Sequence, residues 1–290
     1  MAEQRVAEAF AKVNLGLIVS RVGADGYHPL VSLVQSVSWS DRLEMVPAEE
    51  DVFTVSGMDR SDENLAWRAI EAVRDETGAN GRLQMHLEKR VAVAAGLGGG
   101  SADAAAGLAL AADLYGLASD RLPGLALRLG ADVPFCLGGG LAVLEGRGER
   151  ISPQPVAGGF ALGIVVPDFE LSTPSVYRQW DEMGEPAGEE FPGAQLPPGL
   201  RGYQPLRNDL QPAAELLVPS LGDWRADLTS RWGRAIAMSG SGPALFGFFV
   251  DEEEAGAAVA DAPPGVRASA AVLPVPQGWR EVPGTLAGPE

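Results

Sequence analysis

Four glycines fall within five positions, at Gly96, Gly98, Gly99 and Gly100, and Ser101 with an alanine-rich run follows at once. The stretch 91–106 reads as a strand, a glycine turn and a helix start, with the helical run over 102–115. A backbone without Cβ atoms can approach a ligand closely, and the unpaired N–H groups at a helix start bind phosphate. Ser101 is expected to cap this helix, and Asp103 suits its first turn. A glycine-rich turn can also serve close packing alone. The glycine density followed by Ser101 and alanines favours a nucleotide phosphate cradle.

Three familiar glycine loops do not fit. A P-loop has Lys and then Ser or Thr after its last glycine, whereas Ser101 and Ala102 follow here. A dinucleotide fingerprint needs an acidic residue at the end of a second strand about twenty residues on. The nearest candidate, Asp113, lies inside the helical run. A protein-kinase loop comes with His-Arg-Asp and Asp-Phe-Gly elements. Here Asp168 and Phe169 are followed by Glu170, and no His-Arg-Asp occurs. A fourth kind of loop remains.

The length of 290 residues suits one large or two medium domains. No apolar stretch approaches the roughly twenty residues of a membrane span. The first residues show no basic stretch leading into an apolar core, so no export signal is read there. Cys136 is the sole cysteine, which excludes an internal disulfide and fits a reducing, cytoplasmic location. With His28 and His86 the only histidines, a structural zinc site is not expected. The net charge of −17 argues against a nucleic-acid binder, which needs a basic face. Arginine carries nearly all the positive charge. Lys12 and Lys89 are the only lysines, so an ammonium at position 12 stands out.

The patterning is α+β. Strands are expected over 6–20, 30–37, 42–46 and 52–56, then a helix over 64–77 that Gly78 ends. Asp25 and Gly26 signal a turn. Leu83, Met85 and Leu87 alternate as a strand. A helix is expected over 120–129, and strands over 141–144 and 160–166. The Pro-, Gly- and Glu-rich segment 184–204 reads as a long surface excursion. Helices near 208–217 and 221–231 follow, then strands over 235–238 and 244–250, a helix over 252–260 and a strand over 268–275. The acidic run from Asp251 to Glu254 is expected to open its helix in solvent, and the tail from Gln277 to lack regular structure. A domain boundary is expected within 152–159.

Phosphoryl transfer to an alcohol needs a phosphate cradle, a divalent cation, a charge-spreading cation and often a carboxylate near the attacking hydroxyl. The chain offers the loop at 96–101, Lys12 in AKVN at 11–14 and Asp132 in GADVP at 130–134. Taken singly, Lys12 reads as well as a solvated strand residue, and Asp132 as a turn acid or helix cap. Beside a phosphate loop they complete a minimal apparatus.

Six ordered motifs make the reading specific: AKVNLGL at 11–17, DGYH at 25–28, AGLGGGSADAA at 95–105, GADVPF at 130–135, GRGE at 146–149 and SGSGP at 239–243. Together they resemble the 4-diphosphocytidyl-2-C-methyl-D-erythritol kinases, a family of small-molecule kinases in the GHMP superfamily. The DGYH element separates this family from the mevalonate, homoserine and galactose kinases, which are the alternative reading. The resemblance implies an α+β, two-domain GHMP kinase fold. An N-terminal ATP-binding domain, similar to ribosomal protein S5, would span 1–155. A C-terminal GHMP kinase domain, a ferredoxin-like α/β sandwich, would span 156–290. It implies transfer of the γ-phosphate of ATP, with Mg2+, to the 2-hydroxyl of the substrate's methylerythritol unit, on the methylerythritol phosphate route to isoprenoid precursors.

Carried over motif by motif, Lys12 and Asp132 take the catalytic positions. Asp132 would accept or orient the hydroxyl proton, and Lys12 would stabilise charge on the moving phosphoryl. Asn14, Tyr27 and His28 match substrate-holding residues, with His28 at the cytosine end and Tyr27 stacking near the cytidine. Thr173 and Tyr177, in STPSVY at 172–177, match a segment whose aromatic covers the other face of the base. Ala94, Ala95, Gly96, Leu97, Gly98, Gly99, Gly100, Ser101, Ala102 and Asp103 match the ATP phosphate site. Ser239, Gly240, Ser241 and Gly242 match a third glycine motif that supports the active site. Ser101 is the candidate magnesium contributor, and no carboxylate is assigned to the metal. Two positions depart from the family pattern: Ala92 stands where Pro is usual, and Tyr177 where Phe is common. The implied partner is the small-molecule substrate, with no nucleic acid and no membrane, for a monomer or weak homodimer.

Overall fold

The structure, a computed structural model, describes residues 4–24, 26–56, 64–155 and 157–283. Asp25 of the expected turn, Val156 of the expected boundary and residues 284–290 of the expected tail lie outside them. Two sheets organise the chain. The first begins with β1 (Arg5–Val19) and β2 (Leu30–Ala48), paired antiparallel from Arg5 against Met45 to Val19 against Leu30. The segments 30–37 and 42–46, expected as separate strands, are one strand. Ser40 stays in register with Phe10, and no Gly or Pro interrupts the stretch between them. Its far edge serves two neighbours, which is why its burial alternation breaks in the middle.

β3 (Val52–Val55) pairs parallel with β4 (Arg82–Glu88), so the chain must cross over between them, and α1 (Leu65–Thr77) makes the crossing. Asn64 caps α1 by accepting from the Ala66 N–H, and Gly78 at φ 70° ends it by donating to Arg74 O. Ala66, Ile70 and Val73 recur at helical spacing and bury the inner face. α2 (Gly99–Tyr115) packs on α1, where Gly107 admits the Ala66 carbonyl: a Cβ there would lie 3.1 Å from that oxygen. α3 (Leu122–Leu129), α4 (Val133–Gly138), β5 (Leu141–Gly146) and β6 (Arg150–Gln154) complete this half, with β5 on the free edge of β2.

The second sheet is built by β7 (Ala161–Pro167), α5 (Thr173–Glu182), α6 (Gln211–Leu217), α7 (Pro219–Trp232), β8 (Ala237–Met238), β9 (Leu245–Phe249), α8 (Glu252–Ala260) and β10 (Val266–Val272). Its spatial order β10-β7-β9-β8, all antiparallel, is the β-α-β-β-α-β split arrangement of ferredoxin-like folds. Asp251 caps α8 by accepting from Glu254 N–H, so the acidic run does open that helix. Ala11, Val13 and Leu15 of β1 share an apolar cluster with Leu162, Ile164 and Phe246 of the second sheet, which joins the two halves.

Three expectations are corrected. Residues 91–94 form no strand; the chain turns there, with Ala94 at φ 52°. The segment 184–204 is not a surface excursion. Its Pro and Gly residues govern only its local geometry, while Phe191, Leu196 and Leu200 are buried in the core between the sheets. The tail does not dissolve after Gln277: β11 (Trp279–Val282) pairs with β1 in the first sheet. Arg5 bonds Glu281, and Arg280 bonds Glu8 across that pair, so polar residues that read as a solvated end are cross-strand partners. β7 begins the second sheet just after the expected boundary, and β11 carries the chain back to the first. Among the described residues, no helix is long and apolar enough to cross a membrane.

Candidate active site

The β1–β2 ladder shifts register twice, between Phe10 and Lys12 and between Asn14 and Gly16. Such bulges re-aim a strand locally. Within the shifted segment the Lys12 N–H donates to Leu97 O at 2.8 Å, and the Asn14 N–H donates to Ser239 Oγ at 3.1 Å. One strand thereby grips two glycine loops that lie far apart in sequence. The Lys12 ammonium is buried at 5% exposure. It donates to Asn14 Oδ1 at 2.5 Å and Gly96 O at 3.2 Å, and pairs with Asp132 Oδ2 at 3.4 Å. Asn14 donates in turn to Ser32 Oγ at 2.8 Å, which fixes its amide with the oxygen toward Lys12. Asp132 stands immediately before α4 and makes no side-chain cap bond, so its carboxylate, 40% exposed, is left to Lys12 and solvent.

Gly98 rather than Ser101 takes the cap position of α2. Its φ of 67° turns the chain into the helix, and a Cβ there would lie 2.8 Å from Lys12 Cγ. Ser101 therefore sits inside the first turn and Asp103 beyond it. The first intrahelical donor is Ala102 N–H, to Gly98 O. This leaves the N–H groups of Gly99, Gly100 and Ser101 at the helix's positive end. They line a pocket of about 270 Å³ with Ala94, Ala95, Gly96 and Leu97.

The loop rests on the third glycine motif. Ser239 Oγ donates to Gly96 O at 2.9 Å, and the Ala244 N–H donates to Ala95 O at 3.1 Å. Gly240 and Gly242 have φ of 59° and 83°. Asn208 holds this motif by donating to both Met238 O and Gly240 O at 2.7 Å. Ser241 Oγ and Thr173 Oγ1 lie 2.6 Å apart, which ties the motif to the start of α5.

A second cleft, of about 1170 Å³, is lined by Tyr27, His28, Thr173 and Tyr177, all expected at the substrate. Tyr27 is 55% exposed, and the Arg147 guanidinium lies 3.7 Å over its ring. Burial, with a smaller contribution from Asp132, pushes the Tyr177 phenol up to about 12, so it stays protonated.

Asp103 is buried in α2, just after the glycine loop. Lys89 Nζ lies between Asp41 Oδ2 at 2.5 Å and Asp103 Oδ2 at 2.6 Å, while Asp41 Oδ1 accepts from the N–H groups of Arg90 and Val91. Among the described residues Asp103 Oδ1 has no partner. Burial raises the Asp103 carboxyl to about 8, against the pull of Lys89. An unfolded Asp titrates near 3.9, so between these limits the folded chain binds the extra proton. The contribution of Asp103 to stability therefore falls as pH rises from about 4 to about 8. Urea titrations across this range should show that slope flattened in Asp103→Asn; an unchanged slope would mean Asp103 titrates normally in the fold.

The sequence reading passed over Arg147, Arg178 and Asp181 of the cleft, and Asn208, Asp41 and Lys89 as supports. Arg147 lay within the GRGE motif, and Asp181 lies one helical turn after Tyr177. Asp41 and Asn208 carried no local signal.

The GHMP kinases N terminal domain family matches residues 64–140, and the GHMP kinases C terminal family matches residues 198–263. Fold and site thus define a small-molecule kinase of the GHMP class. A 4-diphosphocytidyl-2-C-methyl-D-erythritol kinase of Rhizobium leguminosarum bv. trifolii (strain WSM2304) is 40% identical over 272 residues, covering 88% of this chain and 91% of the relative. One of Cutibacterium acnes (strain DSM 16379 / KPA171202) is 38% identical over 287 residues, covering 92% and 89%. A crystal structure of 4-(cytidine 5'-diphospho)-2C-methyl-D-erythritol kinase, 35% identical, superposes with a TM-score of 0.78 over 93% of this chain and 99% of its own. The chain belongs to the 4-diphosphocytidyl-2-C-methyl-D-erythritol kinase family. A homoserine kinase from Cytophaga hutchinsonii, 21% identical with a TM-score of 0.70 over 97% of this chain and 98% of its own, shares the fold alone.

Proposed function

We propose that this kinase transfers the γ-phosphate of ATP to the 2-hydroxyl of 4-diphosphocytidyl-2-C-methyl-D-erythritol. The observation that carries the reading is the Lys12–Asp132 pair, 3.4 Å apart, with the Lys12 ammonium also bonded to Gly96 O of the glycine loop. The triphosphate sits on the N–H groups at the start of α2. Asp132 accepts or orients the hydroxyl proton, and Lys12 spreads the charge that develops on the phosphoryl group. Asn14, through its bond to Lys12, holds that ammonium in place and borders the substrate.

Arg147 and Arg178 line the larger cleft together with Glu149 and Asp181, and the two guanidiniums are the groups there that can pair with a substrate diphosphate. Tyr27 and Tyr177 offer two aromatic faces for the base, and His28 its polar edge. Among the described residues, no group of three or more His, Cys, Asp or Glu converges on a metal site. Ser101 lines the glycine-loop pocket and would join phosphate oxygens in holding Mg2+. The ion would neutralise phosphate charge when bound. The same reading places the enzyme in the cytoplasm, as a monomer or weak homodimer divided near 155/156.

The test is a substrate panel of the cytidine compound, mevalonate, homoserine and galactose with labelled ATP. Transfer to the cytidine compound alone is expected. Preference for any other member discards the assignment. Tyr27→Ala should raise KM for the cytidine substrate by about tenfold or more, since stacking on an aromatic is worth about 1–3 kcal/mol per base. An unchanged KM counts against stacking at Tyr27.

A further inference from the structure

β10 carries a bulge at Arg267. Val266 stands opposite Pro167 of β7 and Ala268 opposite Val166, so Arg267 falls between the two pairs. A bulge re-aims the side chain it carries, and this one sends a guanidinium from the second sheet to the turn before the glycine loop. Arg267 Nη2 donates to Val93 O at 2.9 Å, and Nη1 reaches Glu170 Oε1 at 3.4 Å. Its Nε is buried and has no partner among the described residues. An unpaired buried donor is a cost, so the position is a poor one for packing alone.

The turn that Arg267 meets is strained. Among the described residues other than glycine, only Ala94, at φ 52°, and Glu185 have positive φ. A Cβ makes that conformation unfavourable. Both ends of the turn are held: the Val91 N–H donates to Asp41 Oδ1 at 2.8 Å, and the Ala244 N–H donates to Ala95 O at 3.1 Å. The Val93 carbonyl belongs to the peptide that joins it to Ala94, so the bond from Arg267 bears on the strained residue itself. Val93 and Ala94 both line the pocket at the start of α2. We propose that Arg267 is a positioning residue for ATP: it holds the Val93–Ala94 peptide in its left-handed turn and so keeps that wall of the nucleotide pocket in shape. The inference rests on the reading of this pocket as the ATP site, and it adds a residue 174 positions from Val93 that acts through a backbone carbonyl. Without the bond the strained peptide relaxes, and apparent affinity falls by the fraction of molecules that still hold the turn.

Arg267→Met keeps the stem and removes the donors. Its affinity for the non-hydrolysable analogue adenosine 5'-(β,γ-imido)triphosphate, read by titration calorimetry, is expected to weaken by about three- to tenfold, the equivalent of one hydrogen bond. KM for ATP should rise in step while kcat at saturating ATP stays within about twofold, because ground state and transition state lose the same interaction. Adding Ala94→Gly should bring affinity back to within about twofold of the wild type, since glycine takes positive φ about as readily as negative. Unchanged affinity in Arg267→Met overturns the inference. So does a loss that Ala94→Gly does not restore, because the guanidinium then acts on the nucleotide or on the fold at large rather than through the turn. Should Arg267→Met not fold, Arg267→Gln, whose side chain ends at the place of the Arg Nε, is measured with the same outcomes. A wild type that does not bind the analogue overturns the reading of the pocket and takes this inference with it. Binding in the wild type with no change in the variant sinks the role of Arg267 alone.

Discussion

Asp132→Asn should lower kcat by about 10²- to 10³-fold while ATP still binds, because a positioned acid–base group contributes about 10²–10⁴ to such a step. The amide keeps the shape of the carboxylate but cannot take the hydroxyl proton, and it breaks the charge pair with Lys12 Nζ. A loose phosphoryl transition state needs little base help, so the lower part of that range is expected. Lys12→Met should be at least as damaging. It removes the cation beside the glycine loop and strands one acceptor, Asn14 Oδ1, while Gly96 O keeps its bond from Ser239 Oγ. A stranded buried acceptor costs about 1–3 kcal/mol, so this variant should also unfold at lower urea. Steady-state kinetics beside urea titrations separate the two effects. Wild-type turnover in either variant would remove the pair from the chemistry.

Gly96→Ala is expected to damage fold and turnover together. At φ 78° a Cβ is strained, and the added carbon would lie 2.3 Å from Ser239 O, a backbone atom that cannot swing aside. The left-handed conformation costs about 1–2 kcal/mol, and overpacking adds about 1–3 kcal/mol. A loss of about 2–4 kcal/mol, and a Tm lower by about 5–15 °C, follow for a chain of this size. The Gly96 carbonyl receives both Lys12 Nζ and Ser239 Oγ, so the same shift moves the catalytic ammonium. Misplacement by about 1 Å is worth about 10²-fold in rate. Gly124→Ala in α3 is the control, since no atom lies within 4 Å of its Cβ position and φ there is not positive. Calorimetry and turnover that leave Gly96→Ala indistinguishable from the control would show that the two glycine loops do not brace each other.

What could be read from the chain were features with short-range causes. The apolar periodicity of α1 and the glycine after it marked that helix from cap to cap. The glycine density at 96–100 marked a tight turn into a helix, where Gly96 at φ 78° and Gly98 at φ 67° take left-handed conformations. Where the reading failed, a distant partner overruled a local rule. Ser101 is the better capping residue by type, but Lys12 crosses beneath the loop so closely that the turn has to fall at a glycine, Gly98. Arg280 and Glu281 look like a solvated end until Glu8 and Arg5, at the other end of the chain, are placed beside them. The segment 184–204 has loop composition, yet Phe191 and Leu200 fill space that opens only once both sheets are present.

The candidate site divides along the same line. The residue types able to carry phosphoryl transfer, and the family that arranges them in this order, are properties of the sequence itself, because motif identity and spacing do not depend on the rest of the fold. Tertiary structure alone decided that two bulges in β1 turn Lys12 and Asn14 toward loops from both halves of the chain, that Asp41, Lys89 and Asp103 form a buried cluster under the cradle, and that Asp181 reaches His28. Those contacts join residues 14 to 225 positions apart. Their geometry comes from strand register and core packing, which no local run of amino acids encodes.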